Sequence, residues 1–462
     1  MKKNHLIIYF IILFLGGESG KSQFQYKVLL NFNDTNGKAP LGDLTTSGSV
    51  LYGMTQLGGA NNDGLIFSID SNGTGYKDLL DFNGTNGANP FGSLTLSGNV
   101  LYGMTQNGGA KNDGCIFSVN TNGSGYKDLL DFSGSNGEFP AGSLTLSGNI
   151  LYGMATSGGA HGFGCIFSIG LNGNGYKDLH DFNGGSSDGE FPWGILTISG
   201  NVMYGMTNGG GASSQGLIFR IKTNGTGFRD LLDFSGGVGE TPTGGLILSN
   251  GSLYGMTPHG GGQGIGVIFK VDTDGAGYVT MYSFSNLNDA NEGTLILVGD
   301  KLFGMTGGDY SFTSGSIFYE DTNYYFQDLY NFYGNEQPNG SLILSGNMLF
   351  GMTQGGGTYK DGLVFSFKDT GVATLINHLS KTGSICFYPN PNEGKFTVSI
   401  RNQESGINSF EVYNVLGEIV FKTSLSQNSA QISLPWHVPG IYFYRVVSEN
   451  RELIGEGKFV VE

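Results

Sequence analysis

The chain has 462 residues, enough for about three domains of common size. Glycine fills 82 positions with no period of three and proline only 11, which excludes collagen; charged residues make up 13%, about half the customary ~25%, while 23 tyrosines and 33 phenylalanines are too many for a disordered linker. Abundant turns around a substantial apolar core point to an all-β architecture rather than a helical bundle or an α/β fold, and the net charge of −15 disfavours nucleic acid as a partner.

Lys2 and Lys3 precede an unbroken apolar run of ten residues, Leu6 to Leu15. A bilayer span needs about 20 residues, so the run fits the hydrophobic region of an export signal. Gly20 and Ser22 are small residues suited to a cut before Gln23. The expectation is a signal peptide over 1–22 and no transmembrane segment in the mature protein.

From residue 23 the chain repeats itself. A Gly-Met pair starts at Gly53, Gly103, Gly153, Gly205, Gly255, Gly304 and Gly351, at spacings of 50, 50, 52, 50, 49 and 47. Each unit reads as four short strands. In the second, Ser93 to Ser97 turns at Gly98-Asn99 into Val100 to Thr105; a glycine-rich loop leads to Gly114 to Asn120; and Asn122-Gly123, a pair suited to positive φ, leads to Tyr126 to Phe132. Four strands in fifty residues is the arithmetic of a β-propeller blade, so residues 23–379 are expected to form a seven-bladed β-propeller; an open solenoid is the alternative. The fourth-strand motif occurs eight times, from Tyr26 to Val372, against seven for the others. One terminal copy can therefore complete the last blade and remove an open edge, and Tyr26 to Phe32 keeps the pattern better than Val372 to His378.

Leu101-Tyr102-Gly103-Met104-Thr105, the loop with Gly108-Gly109, then Ile116-Phe117-Ser118 and Tyr126 to Phe132 resemble the GloVer tandem repeats of bacterial secreted proteins. The resemblance spans about 350 residues in all seven copies, although that family usually has Gly-Thr-Thr where this chain has Gly-Met-Thr. It implies no established activity.

Glycine thins out near Ser380, and strand-like runs continue to the end. Alternation predicts a small C-terminal β-sandwich over 380–462. Tyr388-Pro389-Asn390-Pro391 with Gly394-Lys395-Phe396, then Val412 to Gly417, then Pro439-Gly440-Ile441-Tyr442, resemble the type A sorting domain of the type IX secretion system. The resemblance implies a Gram-negative bacterium of the Bacteroidetes type, the type IX secretion machinery as partner, and removal of this domain at the cell surface. An ordinary adhesive sandwich is the alternative.

No catalytic constellation, cofactor motif or metal-ligand spacing stands out. Cys115 and Cys165 share a slot with Leu65, Leu217, Val267, Ser316 and Leu363, which reads as a core position rather than a disulfide or a ligand. Asp70-x-Asn72-Gly73 and Asp272-x-Asp274-Gly275 are explained by hairpin turns more simply than by calcium. The segment before each first strand reads x-x-Pro-x-Gly, and by analogy with kelch-type propellers it rims the central channel. Glu138, Glu190, Glu240 and Glu336 stand two residues before the proline. The residue after it varies: Leu41, Phe91, Ala141, Trp193, Thr243 and Asn339, with Glu292 in the divergent sixth copy. Drift in an unconstrained loop produces such variation, and so does a recognition surface; Phe91 and Trp193 suit a sugar ring or a peptide side chain. The expected function is therefore an extracellular or surface-attached binding or scaffold module with a glycan or protein ligand. The alternative is a secreted polysaccharide hydrolase or lyase, which needs carboxylates from the glutamate set to converge within about 5–9.5 Å.

Overall fold

The computed structural model describes residues 24–285, 293–307, 315–321, 324–333, 335–369, 385–388, 394–400, 408–414, 419–425, 429–434, 440–447 and 453–461. The expected signal peptide, Glu292 and the Val372 to His378 copy lie outside them. The described residues form strands and turns, with no helix long and apolar enough to cross a membrane.

Residues 24–369 build seven four-stranded antiparallel sheets. Sheet 1 comprises Thr45–Ser47, Val50–Thr55, Leu65–Asp70 and Lys77–Asp81. Sheets 2 to 6 repeat this order, ending at Asp131, Asp181, Asp233, Ser283 and Asn331. Sheet 7 takes Ile343–Ser345, Met348–Thr353 and Leu363–Asp369 from its own repeat, and its fourth strand is Phe24–Asn31. Tyr26 stands opposite Phe367 and Asn31 opposite Leu363 in that antiparallel pair. The strand from the start of the chain thus covers the edge that sheet 7 would otherwise expose.

Sequence explains the packing between sheets. The glycine of each Gly-Met pair leaves room for a phenylalanine of the third strand: a Cβ on Gly53, Gly103 or Gly205 would meet the ring of Phe67, Phe117 or Phe219. Those rings are fully buried. Each apolar cluster draws on two consecutive sheets. Tyr52, Met54 and Phe82 of sheet 1 pack with Phe117 and Val119 of sheet 2, and the pattern continues to sheets 6 and 7. One further cluster joins Phe350, Met352 and Val364 of sheet 7 to Leu51, Phe67 and Ile69 of sheet 1. Lys38 adds an ion pair to Asp361 across the same junction, at 3.4 Å.

The fourth-strand aspartates tie down the glycine-rich loops. Asp81, Asp131, Asp181 and Asp233 each accept, through Oδ1, the N–H of Ala60, Ala110, Ala160 or Ala212 at 2.7–2.9 Å. Cys115 and Cys165 are buried free thiols. Burial pushes both up to about 12, far from a reactive thiolate.

The tail has two sheets. One holds Ile385–Tyr388, Lys395–Ile400 and Ser429–Ser433; the other holds Asn408–Tyr413, Ile419–Leu425, Gly440–Val447 and Leu453–Val461. Phe396 and Val398 from the first meet Phe410, Val412, Tyr444 and Val446 from the second in one buried cluster.

Candidate functional site: a central cavity shared by seven repeats

The segments before the first strands meet around an open cavity of about 60 Å³, lined by residues of all seven repeats. Glycine permits this convergence. A Cβ on Gly42 would strike the Gly92 carbonyl, one on Gly92 the Gly142 carbonyl, and one on Gly340 the Gly42 carbonyl. The segments therefore approach one another through backbone at these glycines.

A belt of hydrogen bonds runs around it. The N–H of Asp43 donates to Ser93 Oγ (2.7 Å) and that of Ser93 to Ser143 Oγ (2.8 Å). Gly245 N–H donates to Thr294 Oγ1 (2.7 Å), Thr294 N–H to Ser341 Oγ (2.8 Å) and Ser341 N–H to Asp43 Oδ1 (2.5 Å). Burial raises the Asp43 carboxyl, and its bonds to Ser341 and Ser93 oppose that shift. Four more threonine bonds tie sheets 1 to 5 one step further out: Thr45, Thr95, Thr145 and Thr197 donate to the carbonyls of Leu94, Leu144, Leu196 and Leu246. The belt is interrupted at sheet 4, where Ile195 holds the hydroxyl position and Ser143 N–H turns to the Gly194 carbonyl at 3.3 Å.

Phe91 and Trp193 both line the cavity. They come from repeats two apart, yet their ring centroids are 5.4 Å apart with planes at 86°, an edge-to-face pair. Leu41 and Ala141 continue this apolar arc, and Thr243 and Asn339 stand on the polar one. The four glutamates lie elsewhere and are not among the lining residues. Glu138, Glu190 and Glu240 pair through their backbones with Ser157, Gly209 and His259 of their own repeats. The Glu336 side chain lies against Gly356 and Tyr26, and burial raises its carboxyl. Among the described lining residues Asp43 is the one carboxylate, and its Oδ1 is engaged. The carboxylate pair that glycoside cleavage requires is not assembled from these residues. The described residues also hold no cluster of three or more metal-ligating side chains. Sequence reasoning did not single out Asp43, Ser93 and Ser143; their shared position one residue after the rim glycine was the available signal.

Tandem four-stranded sheets around a shared cavity, closed by a strand from the far end of the chain and followed by a two-sheet tail, define a modular all-β repeat protein. The chain belongs to the Gloeobacter/Verrucomicrobia repeat family, which matches residues 19–216 and 199–398. Residues 386–462 match the secretion system C-terminal sorting domain, so the chain carries the address of a type IX secretion client, a secreted or cell-surface protein. No curated protein matches the chain. Among solved structures it is similar to PorZ, an essential surface component of the type IX secretion system of Porphyromonas gingivalis, at 14% identity and TM-score 0.45, with 94% of this chain and 61% of that one covered. It is also similar to the extracellular domain of a one-component system from B. thetaiotaomicron (10%, TM-score 0.48, 95% and 57% covered) and to an oligogalacturonate lyase from Vibrio parahaemolyticus (9%, TM-score 0.49, 76% and 94% covered). The chain thus spans about three fifths of the first two.

Proposed function

We infer that this protein is a closed seven-bladed β-propeller that works outside the cell as a binding module, with the central cavity as its site. The observation that carries this reading is the meeting of Phe91 and Trp193 in that cavity. Two large aromatic side chains left partly exposed in a recess are surface that a ligand would remove from water, at about 25 cal/mol per Å² of apolar area. The cyclic succession of inter-sheet clusters supports the closed ring, and the shared core of the tail supports a C-terminal sandwich. The propeller span of 23–379 carries a net charge of −16, which favours neutral or basic partners over nucleic acid.

The route outward in this reading uses a signal peptide over 1–22 and then the sorting domain over 380–462. The source is a Gram-negative bacterium of the Bacteroidetes type, and the sorting domain is removed at the surface. The test applies the purified full chain to glycan and peptide arrays beside the double variant Phe91→Ala, Trp193→Ala. Binding to a probe that the variant loses, with its thermal midpoint unchanged, is the expected result. Blank arrays, or equal binding by the variant, would discard the reading.

A further inference from the structure

Sheet 4 departs from its siblings at one place. The first strand of sheets 1, 2 and 3 has three residues, whereas that of sheet 4 has eleven, Gly189–Ser199. It pairs with Val202–Gly210, and the register slips midway: Trp193 opposes Met206, and the next pair is Thr197 with Tyr204. Four steps on one strand match two on the other. Trp193 is therefore held on a paired strand at the edge of an irregularity, where its siblings Phe91 and Ala141 precede their strands. Gly194 takes φ +80°, while Gly42, Gly92 and Gly142 do not enter that region. Ile195 replaces the belt hydroxyl, and the next repeat answers with Gly245, where a Cβ would collide with the Ile195 side chain. Drift in a free loop asks for neither a re-registered strand nor a compensating glycine in the neighbouring repeat.

The result is one aromatic platform in a recess whose described lining holds a single ionisable side chain, Asp43. No lysine, arginine or histidine is among the described lining residues, so a uronate, sulfate or phosphate group finds no counter-charge. Asp43, the one carboxylate among the described lining residues, is engaged by Ser341 through Oδ1, and burial disfavours its charged form, so it is a poor partner for a cationic group. Asn339, which also lines the cavity, donates Nδ2 to Gln354 Oε1 at 2.8 Å, which orients its amide. Thr243 Oγ1 has no partner. A flat apolar surface together with the oriented neutral amide of Asn339 matches the two kinds of surface of an uncharged pyranose.

Resting on the reading of the cavity as a binding site, we propose that it takes the neutral terminal sugar of a glycan, with Trp193 as the stacking platform and Asn339 as an orienting hydrogen-bond group. The chain has two tryptophans, Trp193 and Trp436, so Trp436→Phe in the full chain leaves Trp193 as the sole tryptophan, read by excitation at wavelengths that tyrosine does not absorb. This variant is titrated with glucose, galactose, mannose, chito-oligosaccharides, oligogalacturonate and a tyrosine-containing neutral peptide, and the strongest case is repeated by calorimetry. A saturable emission change with a neutral sugar, persisting in 1 M NaCl, is expected. Asn339→Ala should weaken it about tenfold and Trp193→Ala abolish it calorimetrically, while Trp193→Phe retains most of it and all midpoints of unfolding stay in place. Saturation by the peptide or by oligogalacturonate, with every neutral sugar silent, overturns the sugar assignment and leaves the binding site standing. Neutral-sugar binding that Trp193→Ala does not alter overturns the location. Silence of every probe overturns both the proposal and the reading beneath it.

Discussion

Glu320 lies in the third strand of sheet 6, Ser316–Asp321, opposite Leu302. The same slot holds Ile69, Val119, Ile169, Ile221 and Val271 in sheets 1 to 5, all buried against the preceding sheet. Glu320 is itself 0% exposed, and neither carboxylate oxygen has a hydrogen-bond partner. Burial, reinforced by the charge of Asp321, lifts its pKa from 4.5 to about 7. The folded state then holds a proton that the unfolded state has released, so stability falls as pH rises from about 4.5 to about 7 and levels off beyond. Holding the proton up to about pH 7 rather than 4.5 corresponds to a loss of ~3 kcal/mol, a large share of a typical 5–15 kcal/mol. Glu320→Gln keeps the shape and removes the charge; Glu320→Ile restores the residue of sheets 1, 3 and 4. Urea midpoints for the three proteins at pH 4.5 and 8 give the test. Each variant should gain ~3 kcal/mol relative to the parent between the two pH values, and the isoleucine should lead by a further ~1–3 kcal/mol for the relieved polar group. Parallel pH dependences for parent and glutamine variant would refute the reasoning, since they would mean the carboxylate is solvated or paired.

Gly92→Ala should destabilise the protein by more than ~2 kcal/mol in denaturant titrations, because its Cβ meets backbone of Gly142; Gly237→Ala, with nothing within 4 Å, should stay within ~0.5 kcal/mol. Iodoacetamide should leave Cys115 and Cys165 unmodified in the native protein and label both in urea, and rapid native labelling of either would contradict their burial. Removing Phe24–Asn31 should expose the Leu363–Asp369 edge and shift the protein to larger species in size-exclusion chromatography; a monodisperse monomer of parental stability would show that this strand is dispensable. Asp178 and Asp230 are raised to about 6 by burial and by Asp181 and Asp233 beside them, so Asp230→Asn should flatten the decline in stability between about pH 4 and 6, as read from urea midpoints.

Much of the architecture was legible because repetition multiplies weak local signals. One Asn-Gly turn predicts little, but Gly-Met pairs at near-constant spacing, each needed to admit a phenylalanine ring, fix the strand order of every sheet. The expectation over Ser93 to Ser97 was two residues too generous, since Ser93 belongs to the belt and the strand is Thr95–Ser97. The 52-residue spacing into the fourth Gly-Met pair was visible, and its meaning was not: the extra length becomes an irregular long strand, a pairing that depends on contacts made in three dimensions. Glu320 was equally hidden. Its slot reads as apolar only when five aligned strands are shown to bury it.

The two departures from repetition differ in kind, and the difference bears on where function lies. Glu320 breaks a rule with no answering change in the contacts of its own carboxylate, leaving a cost that pH can expose. Trp193 breaks a rule and is accommodated: Gly194 turns to positive φ, Ile195 leaves the belt, Gly245 makes room, and Phe91 meets the new ring edge-to-face. Where consecutive segments share carbonyl contacts at the cavity, as at Gly42, Gly92 and Gly142, altering one sheet requires its neighbours to adjust. An isolated substitution therefore marks tolerated strain, whereas a substitution matched by changes on both sides marks a place where the cavity's shape has been set.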